Sequence, residues 1–267
     1  RIEATYYEEV KDIVSTNTND AIIIGTYSNH HSGYFRNIFI KKIDTDGNVL
    51  WENEFKFSNW DDVKKIIKTS SNEYIIIGEL IYEKLLPPYI EKHQVIFKIN
   101  NSGNLLWQKI YQNENLVISD VIEDSSSNII LSGTNKPSSF IYAWLSKISH
   151  SSDSIYEITY NTYPNNIVYD FRKTLIIQFD NEEIITVGEN DATTYGSNLI
   201  FNKFDSLGNH IWSRSVNSSF PTYGSCFCPI NPNIYKSNDQ NILITSPTDN
   251  EGKSFLAKVD TSANLIF

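Results

Sequence analysis

Apolar residues along the chain fall in blocks too short for helices. Runs of three or four aliphatic side chains stand between stretches rich in Asn, Asp, Ser and Gly, as in "TNTNDAIIIG", "TSSNEYIIIG", "EDSSSNIILSG", "FDNEEIITVG" and "SNDQNILITS". Runs of this length bounded by turn formers predict strands. Each ends on a small residue (Gly25, Gly78, Gly133, Gly188, Ser246), and these are separated by 53, 55, 55 and 58 positions. A second segment marches in step: "FIKKIDTDGNVLW" (39–51), "IFKINNSGNLLW" (96–107), "WLSKISHSSDSIY" (144–156), "IFNKFDSLGNHIW" (200–212) and "FLAKVDTSANLIF" (255–267). In all five, the residue after the Lys-apolar pair (Asp44, Asn100, Ser149, Asp205, Asp260) precedes a closing aromatic (Trp51, Trp107, Tyr156, Trp212, Phe267) by seven positions.

A fixed period of this size is the signature of a repeat architecture. Each unit reads as four short strands: an alternating strand, a buried run, the strand carrying the Lys-apolar pair, and the strand carrying the aromatic. Continuous apolar runs require cover on both faces of a sheet, which stacking on neighbouring sheets provides. The expected fold is all-β: a single five-bladed β-propeller of four-stranded antiparallel blades, one domain over residues 1–267. An open solenoid would need polar capping repeats, and none is evident. Aligning "YYEEVKDIV" with "NWDDVKKII" places Arg1 at the repeat position of Glu54, while Phe267 takes that of Trp51. The N- and C-terminal segments are therefore expected to pair and close the ring, which removes its open edge.

Composition narrows the function classes. With 40% hydrophobic and 13% aromatic residues among 267 there is material for a core. A net charge of −10 with Lys and Arg scattered singly or in pairs excludes a nucleic-acid partner, which needs a basic stripe. Lys41 with Lys42, and Lys64 with Lys65, are the densest pairs and read as the solvated side of strands. No apolar run approaches the roughly 20 residues of a membrane span. Two Cys exclude a disulfide framework, and the absence of Met leaves room for a leader or tether removed before Arg1.

The segments "KIDTDGNVLW", "KINNSGNLLW" and "KFDSLGNHIW" resemble the repeats of bacterial secreted and lipoprotein β-propellers, which share this Asp/Asn, Gly-Asn, Trp signature. They are distantly similar to quinoprotein repeats, but the Asp-to-Gly spacing is one residue shorter and no quinone-site residues match, so no cofactor is carried over. The resemblance implies an extracytoplasmic location (secreted, periplasmic or cell-surface) and specifies fold rather than reaction.

Two kinds of connection follow from the repeat. Loops joining the first to the second strand and the third to the fourth are short and alike. Those joining second to third, and unit to unit, vary and share the opposite face, where function is expected. They carry "TYSNHHSGYFRN", "ELIYEKLLPPYIEKHQ", "KFSNWDD", "NTYPNNIVYD", "NDATTYGSN" and "NSSFPTYGSCFCP". Aromatics interleaved with amides and carboxylates suit a polar, flat-faced ligand: a ring stacks on a sugar face or on another protein while the polar groups bind hydroxyls. The candidate ligand-binding residues are Tyr27, His31, Tyr34, Trp60, Asp62, Tyr89, Tyr169, Asp170, Tyr195 and Tyr223.

Other patterns compete. "DTDGN" (44–48) has the spacing of a calcium loop, yet the second carboxylate is absent from the other copies and only the turn shape is kept. His30, His31 and His93 are metal-ligand types, but adjacent His side chains diverge and the third lies elsewhere; Cys226 and Cys228 lack further ligands nearby. No metal is assigned. Asp12, Asp62, Asp120 and Asp170, near the starts of first strands, are of the type that serves glycosidases, although they do not align in one register. The expected function is a non-catalytic binding module for a carbohydrate or protein partner. A carbohydrate-active enzyme with Asp residues in the central well, and a structural or assembly scaffold, are the alternatives.

Overall fold

The computed structural model describes residues 7–28, 36–84, 90–137, 141–160, 171–190, 198–216, 233–246 and 255–266. They form nineteen strands in five antiparallel sheets. The first sheet holds β1 (Tyr7–Ser15), β2 (Ala21–Ser28), β3 (Arg36–Ile43) and β4 (Val49–Phe55); the second, β5 (Trp60–Lys68), β6 (Tyr74–Glu83), β7 (Ile90–Ile99) and β8 (Leu105–Tyr111). The third holds β9 (Leu116–Glu123), β10 (Ile129–Asn135), β11 (Tyr142–Ile148) and β12 (Ser154–Tyr160). The fourth holds β13 (Phe171–Gln178), β14 (Ile184–Asn190), β15 (Asn198–Phe204) and β16 (His210–Val216). The fifth has three strands, β17 (Asn233–Lys236), β18 (Ile242–Ser246) and β19 (Phe255–Val259), and Leu265 adds a bridge to Val259. Strands neighbour one another in chain order throughout; four sheets have the four strands expected of each repeat, whereas the fifth has three among the described residues. No helix among the described residues is long and apolar enough to cross a membrane.

The chain divides into two compact units, residues 1–123 with 149–153, and 124–148 with 154–267. In the first unit the aliphatic runs of two sheets meet in one core: Ile22, Ile24, Ile38 and Ile40 pack with Val63, Ile66, Ile76, Leu80, Val95, Phe97 and Ile99. Trp51 and Phe55 of β4 close its margin. In the second unit Ile185, Val187, Leu199 and Phe201 pack with Ile242, Ile244, Val259 and Ala263. Burial on both faces is why the runs are continuous rather than alternating.

The Lys of the Lys-apolar pair has a constant partner. Lys42, Lys98, Lys147, Lys203 and Lys258, all on third strands, pair with Asp20, Glu73, Asp124, Glu183 and Asp239 of the first hairpin in the same sheet, at 2.5–3.2 Å. This corrects the reading of Lys41 and Lys42 as a solvated strand face. Lys42 is buried, and Lys41 pairs with Glu8 and Glu52. The hydrophobic pattern cannot reveal this, because a lysine stem packs like an aliphatic while its ammonium seeks a carboxylate.

Hairpin turns are closed by their own side chains. Asp44 Oδ1 accepts from the N–H groups of Asp46 and Asn48, and Asp44 Oδ2 from the Asn48 amide. Asp205 and Asp260 repeat the arrangement. With its oxygens so occupied, the "DTDGN" segment is an Asx-type turn. Trp51, Trp107 and Tyr156 sit against the last hairpin of the next sheet. A Cβ on Gly103 would come within 2.8 Å of the Trp51 ring, and one on Gly208 within 2.9 Å of Tyr156. Trp107 Nε1 donates to the His150 carbonyl at 2.9 Å. The aromatic at constant spacing thus docks one repeat on the following one.

Gly25 and Gly78, the small residues ending the second strands, face β-bulges. The pairing of β1 with β2 shifts between Val10 and Asp12, and that of β5 with β6 between Val63 and Lys65. The bulged strand brings its backbone so close that an added Cβ would lie 2.3 Å from the carbonyl oxygen of Glu9 or of Asp62.

Candidate functional site

The crossover from β4 to β5 is tied by a buried carboxylate. Asp61 Oδ2 accepts the Phe57 N–H at 2.6 Å and Oδ1 accepts the Ser58 hydroxyl; burial raises the Asp61 pKa above the ordinary aspartate value, against these hydrogen bonds. Strand alternation then puts Trp60, Asp62 and Lys64 on the less buried side of β5, with Asp61 and Val63 inward.

Around these three residues, β1, β3, β6 and β7 contribute alternating charges. The Arg36 guanidinium lies 5.4 Å above the Trp60 ring and 3.8 Å from Glu9. Lys11 bridges Glu9 at 2.8 Å and Asp62 at 3.6 Å. Lys64 is 4.0 Å from Glu79, which Lys92 approaches at 3.1 Å. The hydrogen bond from Lys11 holds the Glu9 carboxyl below the usual range. Burial pushes Glu79 up, but Lys64, Gln94 and Lys92 together hold it below its ordinary value. The result is a belt of fixed charge beside a half-buried indole, at the ends of strands that lead into the variable connections.

Two of the sequence candidates, Trp60 and Asp62, meet in this belt. Tyr27 does not: it is buried and shares a sheet face with Asn37, whose amide donates to its hydroxyl at 3.0 Å, while the hydroxyl donates to Glu54. His31, Tyr34, Tyr89, Tyr169, Asp170, Tyr195 and Tyr223 lie outside the described residues, as do His30, Cys226 and Cys228. His93 bonds Glu91 at 2.6 Å and packs on Tyr82. Among the described residues no group of three His, Cys, Asp or Glu side chains is placed to hold a metal ion.

The remaining carboxylates considered for acid-base chemistry hold strands together. Asp12 Oδ1 accepts from Ile13 N–H and Oδ2 from Ile66 N–H, both at 2.9 Å. Asp120 is buried, accepts the Val121 N–H at 2.9 Å and pairs with Lys65. Lys64 and Lys65 are therefore not a solvated face, contrary to the sequence reading. One signal for the belt was present in the chain: Lys11 and Lys64 occupy the same repeat position, in "VKD" and "VKK".

No protein-family model and no curated protein matches the sequence. Solved structures do. A protein of unknown function from Dyadobacter fermentans DSM 18053 superposes with a TM-score of 0.65 at 6% identity, over 97% of this chain and 80% of that one. The Synechocystis apocarotenoid oxygenase and an ACO/RPE65 chimera each give 0.52 at 12% identity, over 97% of this chain and 61% of theirs. The chain thus spans about three-fifths of the length of the oxygenase structures it matches. At such identities the likeness is one of fold. The class it defines is that of all-β proteins built from repeated four-stranded antiparallel sheets, consistent with a propeller-like fold.

Proposed function

We propose that this chain is a five-bladed propeller, closed by its terminal segments, that acts as an extracytoplasmic binding module for a carbohydrate. Its ligand docks at the variable-connection end of the first two sheets. The observation that carries this reading is the half-buried Trp60 indole under the Arg36 guanidinium, which leads on to the linked Glu9, Lys11 and Asp62 charges. Carbohydrate recognition needs an aromatic face for the C–H side of a sugar ring and fixed donors and acceptors for its hydroxyls. Binding is favoured over glycosidase chemistry because Asp12 binds the Ile13 and Ile66 N–H groups, Asp120 binds the Val121 N–H and pairs with Lys65, and Asp62 sits beside Lys11. A free acid and base flanking a sugar would need carboxylates not so engaged.

A glycan array probed with the intact chain tests this. Retention of a glycan class that weakens at least tenfold in Trp60→Ala and in Asp62→Asn, and persists in Tyr27→Phe, is the expected outcome. A folded chain that retains no glycan overturns the sugar reading in favour of a protein partner, and release of cleaved sugar would restore the enzyme.

A further inference from the structure

Lys11 and Lys64 stand at the same repeat position and each fills the bulge of its first strand, yet their ammonium groups have different company. Lys11 is ion-paired with Glu9 at 2.8 Å. Lys64 Nζ instead donates to two neutral oxygens, Gln94 Oε1 at 2.9 Å and the Ile118 carbonyl at 3.2 Å, with the closest carboxylate, Glu79, at 4.0 Å. The Gln94 amide cannot turn to offer Lys64 its nitrogen. Its Oε1 also accepts the Ile118 N–H at 3.1 Å, and its Nε2 donates to Glu79 at 3.1 Å. A free amine has two N–H donors and one lone pair, so two fixed neutral acceptors suit NH2 and leave the lone pair for the remaining tetrahedral direction.

We propose that Lys64 is a nucleophilic amine that condenses reversibly with an aldehyde ligand. Burial pulls its ammonium below the ordinary lysine value, against the pull of Glu79 and Asp62, which raises the fraction present as free base. The Nζ lone pair adds to the carbonyl carbon while the C=O π pair moves to oxygen, and a proton passes from nitrogen to that oxygen to give the carbinolamine. Loss of the hydroxyl with one proton, as water, leaves the C=N bond. No oxidant or reductant is consumed. Glu79, 4.0 Å from Nζ and bonded to the Gln94 amide and to Lys92, balances the charge of the protonated imine.

The test is reductive trapping on the intact chain with glycolaldehyde and cyanoborohydride at neutral pH, followed by timed peptide mass spectrometry. Lys64, with a side chain 29% exposed, is expected to be alkylated severalfold faster than Lys92 at 53% and Lys84 at 39%. Gln94→Glu, which places a carboxylate against Nζ, is expected to slow Lys64 to the rate of Lys11 and leave the other lysines unchanged. An order of labelling that follows exposure, with Lys92 ahead of Lys64, overturns the proposal, and the unsubstituted chain alone decides this if the variant fails to fold. Trapping at Lys64 without glycan retention leaves this chemistry standing and removes only the sugar reading. Retention without trapping does the reverse.

Discussion

Gln240 holds a left-handed backbone at φ 61° in the β17–β18 hairpin, and its Oε1 is buried without a hydrogen-bond partner among the described residues. A left-handed conformation costs an L-residue other than Gly about 1–2 kcal/mol, and a buried unpaired oxygen adds to this. Gln240→Gly is therefore expected to stabilise the protein by about 1 kcal/mol, read as a rise of a few degrees in Tm by calorimetry. The corresponding hairpin positions Asn19, Asn72, Ser127 and Glu182 share the positive φ. Gly and Asn mark the third-to-fourth turns in the sequence, but the first hairpins impose the same geometry on Ser, Glu and Gln without a residue signal, because φ is set by closure of the hairpin. At the candidate site, Trp60 and Asp62 were legible from composition. Lys64 was not, since its character comes from Gln94 and the Ile118 carbonyl, 30 and 54 positions away.

At the scale of the element, the lysine of each third strand and the acid of each first hairpin form a clasp kept in all five sheets. The clasp of Asp124 with Lys147 is the most enclosed, with side chains 2% and 11% exposed. Burial alone would raise the Asp124 carboxyl, but Lys147, the Asn128 side chain and the Asn128 N–H lower it below its ordinary 3.8. A depressed carboxyl stabilises the fold above its unfolded pKa, and that stability is lost as pH falls through the folded value. Asp124→Asn is expected to cost about 3 kcal/mol at neutral pH by leaving Lys147 unpaired, and to flatten the decline of stability below about pH 4. Urea unfolding of both chains across pH 2–7 measures this. An equal acid slope in the two would exclude the clasp as its source. Elements also differ where their repeat positions agree: the apolar pair Ile76 and Phe97 of the second sheet is matched in the fourth by Thr186 and Asn202. There Tyr160 bonds Thr186 at 2.8 Å, and Ser213 donates to Asn202 at 2.7 Å. A buried polar network of this kind is not read from periodicity, which only reports that a position is inward.

For the whole molecule, the proposed ring makes one demand that an open array does not: Phe267 and Arg1 must come close enough to join. A circular permutant that links them through a short Gly-Ser segment and opens at the exposed Asp46–Gly47 turn is expected to keep the strand signal in circular dichroism and a single cooperative transition within a few degrees of the parent. Loss of cooperativity would exclude closure. Strand order, the four strands of four of the five sheets, and the docking role of the aromatics were legible in the chain, because a unit of some 55 residues recurs five times and turn chemistry acts over only a few residues within it. The bulges that forbid a Cβ at Gly25 and Gly78, the carboxylate partner of each buried lysine, and the two neutral oxygens that Lys64 meets were settled only by packing. They depend on which backbone atoms of other strands arrive within 3–4 Å, and the hydrophobic pattern of a strand says which way a side chain points, not what it meets there.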